Sequence, residues 1–197
     1  SVEASKYELI VVGARQEIEE RGIVGLRVQE VARHANCSVS LIYRHFTSRD
    51  GLLAHVLTED YARNIERWAE LVDAVEAGSG PIDLEPIIDQ LPMPQSVYMR
   101  KMRWSRVQTL AASVDNEPLR ARLSDLARKF QSISDRLIRA IARRNGVTMT
   151  FDVPAFTQLT MAFAFMLIHN ELLAPDEQMD DDAMRAFYRD IIARYLV

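Results

Sequence analysis

Hydrophobic and polar positions alternate along this chain with a helical period almost throughout. The clearest case lies between residues 28 and 46, which read VQEVARHANCSVSLIYRHF. Val28, Val31, Ala32 and Ala35 recur at the spacing of one helix face, and Val39, Ile42, Tyr43 and Phe46 do the same. Asn36-Cys37-Ser38 separate the two segments, enough for a tight turn and too short for a loop. Asn36 stands where such a turn needs a left-handed residue, and Ser38 is a good N-cap for the second segment. Helix spacing alone does not choose between a helix-turn-helix and an ordinary αα-hairpin.

The same reading predicts nine helices. The first covers 5–21, with Tyr7, Ile10, Val11, Ala14 and Ile18 inward, Glu17, Glu19, Glu20 and Arg21 in solvent, and Gly22 as its stop. Two short helices follow at 28–35 and 39–45. Thr47-Ser48-Arg49-Asp50 resembles a capping box and opens a long helix that ends near Ala77. Gly78-Ser79-Gly80-Pro81 is the most linker-like segment. Further helices are expected at 83–90, 95–113, from Pro118 to Asn145-Gly146, at 154–173, and after Asp180-Asp181-Asp182. The 154–173 segment is apolar nearly all round, so it calls for a second burying surface beyond its own core. No period-2 strand, internal repeat or low-complexity run is seen. The expected fold is therefore all-α: a three-helix module with the helix-turn-helix over residues 1–50, a connecting helix over 51–77, and a helical bundle over 78–197.

Composition narrows the function. At 197 residues, 22.5 kDa and 48% hydrophobic, the chain can bury a sizeable core. No stretch is long and apolar enough to cross a bilayer, and the N-terminus lacks a signal-peptide pattern. The single cysteine, Cys37, excludes an internal disulfide and suits a cytoplasmic setting. The net charge of −4 does not advertise nucleic-acid binding. Its distribution does: between Arg27 and Arg49 four basic side chains face one acidic, with His34 and His45 in addition.

Chemistry points away from catalysis. His169 and Glu171 lack metal-ligand spacing. The Asp180–Asp182 run reads as helix N-terminal charge, and Cys37 has no activating neighbour. No phosphate loop or nucleophile motif occurs. No metal or cofactor is expected, and no enzyme.

Residues 7–57 resemble the DNA-binding module of the tetracycline-repressor (TetR) family of bacterial regulators. The resemblance is carried by Glu20-Arg21-Gly22, Val28 through Ala32, Ala35, Ser38, Ile42-Tyr43, His45-Phe46, Ser48-Arg49 and Leu52-Leu53, with Tyr-x-His-Phe at 43–46 the most specific piece. Arg27 stands where the family has Thr or Ser, and Asn36 where it has Gly. Residues 78–197 resemble the family only in helix number and order.

The resemblance implies a DNA-binding transcriptional regulator, by family habit a repressor released from a palindromic operator on double-stranded DNA by a small-molecule effector. The alternative is a helical small-molecule-binding or scaffold protein that has lost DNA binding. Spacing and resemblance together nominate Arg27, Gln29, Ser38, Val39, Ser40, Tyr43, Arg44, His45 and Arg49 for DNA. Arg44 and Ser40 look into the groove, while Tyr43, His45 and Arg49 hold the backbone. A pocket for a mostly apolar ligand is expected from Trp68, Met99, Met102, Trp104, Phe130, Met161 and Phe165. Its occupancy would alter recognition-helix separation through residues 52–76. A homodimer contact is expected from Phe163, Leu167, Met184, Phe187, Tyr188, Ile191, Ile192 and Tyr195.

Overall fold

The computed structural model describes residues 5–195, with the side chain of Tyr195 outside that description. Nine α-helices and one 3-10 segment make up its regular structure, and no strand occurs among the described residues. The helices are α1 (Lys6–Gly25), α2 (Val28–His34), α3 (Val39–Phe46), α4 (Arg49–Ala77), α5 (Glu85–Ile88), α6 (Val97–Ala112), α7 (Glu117–Arg144), α8 (Val153–Met166) and α9 (Asp181–Tyr195). The 3-10 segment is Leu167–Leu172. No helix among the described residues is long and apolar enough to cross a membrane. The described residues form two compact units: those up to 63 with 108–126, and 64–107 with those from 127 onward.

In the first unit, α1 begins at a reciprocal capping box. The Glu8 amide donates to Ser5 Oγ at 3.2 Å, and the Ser5 amide donates to Glu8 Oε2 at 2.7 Å. The helix kinks at Gly22, whose φ of 74° breaks the ladder where the sequence predicts the stop, and one further turn runs to Gly25. Its apolar face joins those of α2, α3 and the start of α4 in one core, in which Ile10, Ala14, Val31, Ala35, Ile42 and Leu52 are fully or almost fully buried. Glu17, expected in solvent, is instead wholly buried. It lies one turn beyond Gly13 on the face that α1 turns toward α2, so helical phase overrides its charge.

The turns around α3 follow local chemistry. Asn36 takes φ 46°, and Ser38 Oγ accepts from the Leu41 amide at 3.2 Å, as an N-cap should. At the other end the predicted capping box is displaced by one residue. Thr47 sits at φ 65°, ψ −41°, with the Ser48 amide donating across it to the Phe46 carbonyl at 2.7 Å, a γ-turn. Ser48 Oγ then caps α4 by accepting from the Gly51 amide at 2.9 Å. A Cβ on Gly51 would stand 2.1 Å from the Phe46 carbonyl oxygen, so the turn closes only over a glycine.

In the second unit, the segment expected to be a linker is fastened. The Arg144 guanidinium donates to the carbonyls of Val75 (3.0 Å), Ser79 (3.0 Å) and Gly80 (2.8 Å), closing the C-terminal end of α4. Arg103 is buried and donates to the carbonyls of Met93 (3.0 Å) and Pro94 (2.7 Å) and to Glu171 Oε1 (2.6 Å). The predicted 154–173 helix is corrected in its last third: the α-helix ends at Met166 and tightens to a 3-10 turn that carries Glu171 to Arg103. Asp152 and Asp180 cap α8 and α9 through the amides of Ala155 (2.8 Å) and Ala183 (2.6 Å).

Candidate nucleic-acid interface

Helix α3 has two sharply different sides. Ile42 and Phe46 are buried in the module core, while Ser40, Tyr43, Arg44 and His45 are exposed. Such a short helix keeps its face only because capping fixes both ends and the core holds one side. Val39 is half-buried and packs partly on the core, so less of it is available outward than its sequence position suggests. Gln29 on α2 is exposed, as is Ser38, whose hydroxyl is engaged as the cap.

The arginines divide into two groups. Arg27 and Arg44 are exposed, and neither guanidinium makes a hydrogen bond or ion pair with a described residue. As N-cap of α2, Arg27 gives no side-chain cap, so its guanidinium is left to solvent. Arg33 pairs with Glu30 at 2.9 Å, which holds the Glu30 carboxyl below the ordinary range. Arg49, expected among the phosphate contacts, is engaged internally. It donates to the carbonyls of Leu26 (3.1 Å), Ile23 (3.2 Å) and Val24 (2.8 Å), and weakly to Asp50 Oδ1 (3.4 Å). Four of the five N–H groups of a guanidinium are thereby used. The side chain fastens the α1–α2 connection to the start of α4.

Behind α3 lies a cluster of rings. Tyr7 stacks on Phe46 with centroids 5.3 Å apart, and its hydroxyl meets His55 Nε2 at 2.7 Å. His45 touches the edge of Tyr7, with centroids 5.7 Å apart. Burial pushes the His55 imidazole below its ordinary value, opposed by the nearby Glu59 carboxylate. This cluster joins α1, α3 and α4. Only Tyr7, His45 and Phe46 were marked in the sequence pattern, because His55 falls on a polar-looking position of α4.

The expected ligand and dimer residues fall in the second unit. Trp68, Met99, Met102, Phe130 and Met161 are half-buried, whereas Trp104 and Phe165 are exposed. The Trp104 indole is occupied, donating to Glu171 Oε2 at 2.6 Å. Met102 Sδ accepts from Asn64 Nδ2 at 3.5 Å, one helical turn before Trp68. The Trp68 indole N–H is buried and has no acceptor among the described residues. Of the dimer set, Leu167, Met184 and Ile192 are buried within one chain and belong to its own core, a correction to the sequence reading. Helical period places a residue on an apolar stripe without saying which part of a wide stripe the chain itself covers. Phe187 is exposed and Phe163, Tyr188 and Ile191 are half-buried, with the Tyr188 hydroxyl donating to the Pro92 carbonyl at 2.8 Å. Tyr195's side chain lies outside the described residues. Leu159 and Met166 of α8 are 69% and 56% exposed.

Residues 10–56 match the family described as bacterial regulatory proteins, tetR family. No curated protein sequence matches the chain significantly. Solved structures resemble it over nearly its whole length. A protein from Mesorhizobium loti assigned as a TetR-family transcriptional regulator is 15% identical, covering 98% of this chain and 97% of its own, with a TM-score of 0.70. A protein from Saccharomonospora viridis assigned as a transcriptional regulator and solved with choline is 20% identical, covering 94% of each chain, with a TM-score of 0.66. The transcriptional regulator FadR from Bacillus subtilis, solved with stearoyl-CoA, is 16% identical, covering 94% and 97%, with a TM-score of 0.61. Residues 10–56 thus carry the signature of the tetR family of bacterial regulatory proteins, and the chain as a whole shares the helical fold of these structures.

Proposed function

We propose that the chain is a sequence-specific transcriptional repressor, acting as a homodimer that a small, mostly apolar ligand releases from a palindromic operator. The observation that carries this reading is α3: one face buried in a rigid core, the other presenting Ser40, Tyr43 and an unpaired Arg44. A helix so built fits the major groove, where Arg44 donates to guanine and Ser40 permits close approach. Arg27, Tyr43 and His45 take the flanking phosphates, with Gln29 and the capped start of α3 at Ser38 and Val39 beside them. Arg49 acts indirectly, by fixing the segment that presents Arg27.

A single such helix reads too few bases, and a twofold pair reads an inverted repeat with half-sites about 34–36 Å apart or a multiple. The exposed apolar residues of α8 and α9 support that pairing. For the effector, the half-buried methionine and aromatic side chains support an apolar body. The unpartnered Trp68 indole favours one that carries a hydrogen-bond acceptor. Two fold neighbours were solved with choline and stearoyl-CoA, so this architecture accommodates organic ligands of different sizes. Binding acts on DNA affinity only through unequal affinity for two conformations.

The test is selection of bound duplexes from a random pool with the whole chain, followed by titration at several salt concentrations. An enriched inverted repeat whose affinity falls steeply with salt is expected. Failure to enrich any duplex at low ionic strength overturns the proposal in favour of a helical binding protein without DNA contact.

A further inference from the structure

Glu17 is the least expected side chain in the DNA-binding unit. Neither carboxylate oxygen is accessible to solvent, and neither has a hydrogen-bond partner among the described residues. Its nearest charge is the Arg21 guanidinium, with Nε 3.0 Å from Oε1 but out of hydrogen-bond alignment and 44% exposed. A buried carboxylate left this way is strongly unfavourable unless something else satisfies it.

Two further donors converge on it. Gly13, Glu17 and Glu20 stand at i, i+4 and i+7 on α1, one face of that helix. Gly13 lets α2 come close: a Cβ there would lie 3.0 Å from His34 Cβ and 3.2 Å from the Val31 carbonyl oxygen. That approach sets His34, at the end of α2, opposite the two glutamates, and a donor atom from each of the three lies within 4.8 Å of the others.

We infer that Glu17, Glu20 and His34 bind one divalent cation of the zinc type, joining α1 to the last turn of α2. An imidazole with two carboxylates suits a first-row transition ion better than magnesium or calcium, and no thiolate takes part. Bond lengths near 2.0–2.2 Å would draw the donors to roughly 3.4 Å apart, a small closure that the exposed Glu20 can follow. Three protein donors leave a position for water. The competing contacts are all made by side chains able to move. Gln16 Nε2 holds Glu20 Oε1 at 2.9 Å, and Arg33 Nη2 holds His34 Nε2 at 3.1 Å while keeping Glu30 as its other partner. Arg21 yields its place beside Glu17 to the ion. The site departs from the sequence reading, which expects no metal, because it depends on burying a glutamate that the pattern assigns to solvent.

The experiment is titration of cobalt(II), as a spectroscopic stand-in for zinc, into the tag-free whole chain, with zinc as competitor. Saturation of the cobalt absorption at one equivalent is expected, abolished by zinc. His34→Gln weakens binding by at least about tenfold, His169→Gln leaves it unchanged, and zinc raises the melting temperature of the parent but not of His34→Gln. Glu17→Gln also loses cobalt if it folds; if it does not, His34→Gln and Glu20→Gln decide. No saturable absorption, or equal affinity in His34→Gln, overturns the site. DNA binding plays no part in this readout, so the two proposals fail separately.

Discussion

Arg44 and Arg49 lie five residues apart and carry the same charge, but one guanidinium is exposed and the other is held by backbone carbonyls. Arg49 is fixed to three carbonyls of residues 23–26, so Arg49→Ala should lower stability by about 1–2 kcal/mol in urea unfolding. Arg44→Ala removes no internal bond. Its stability should stay within about 0.5 kcal/mol, while its selected operator loses about 1–3 kcal/mol of discrimination at one position. Spacing and resemblance nominate both for DNA, since the sequence does not reveal which guanidinium the backbone claims. Glu17 failed for the mirror reason: a carboxylate is read outward even when the phase of Ile10, Gly13 and Ala14 turns it in. His55 yields a pH dependence. Burial lowers its value in the folded chain, against Glu59 and with Arg122 and Arg15 facing it, so the unfolded chain binds the proton more readily. Stability should therefore hold above about pH 6.5 and fall as the pH drops through that value. His55→Gln should flatten this part of a melting-temperature profile.

The helix ends were the most legible feature, because caps are decided by two or three adjacent residues. Asn36 and Ser38 occur as read, and Ser38→Ala should cost about 1 kcal/mol in thermal or urea melts. The α3–α4 junction was misread by one position. Thr47 and Ser48 both resemble caps, and only the γ-turn shows that Thr47 has a left-handed φ of 65°. A β-branched residue is strained there, so Thr47→Gly should raise stability by about 1 kcal/mol despite glycine's larger unfolded-state freedom. The switch from α8 to the 3-10 turn was not legible at all. A segment apolar on every side has no phase to lose, and the Arg103–Glu171 pair that shapes its end joins residues 68 apart.

At the scale of the whole molecule, helix number and order follow from periodicity, and the family match of residues 10–56 from the 28–53 motif. Which apolar stripe residues one chain covers does not follow. Met184, buried completely, should destabilise the monomer when changed to Ala, by about 2–5 kcal/mol in chemical unfolding. Leu159→Glu with Phe187→Glu alters residues that are 69% and 48% exposed. That pair should leave the fold intact, sediment as a monomer and lose the preference for inverted repeats. Gly51 has a consequence of another kind. A genetic screen for loss of promoter binding is blind to structure, and one base change turns glycine into alanine. Because the added methyl has nowhere to go beside the Phe46 carbonyl, such a screen should return position 51 alongside the groove-facing residues. A reader of those mutants who equated phenotype with contact would then take a broken turn for a lost operator contact.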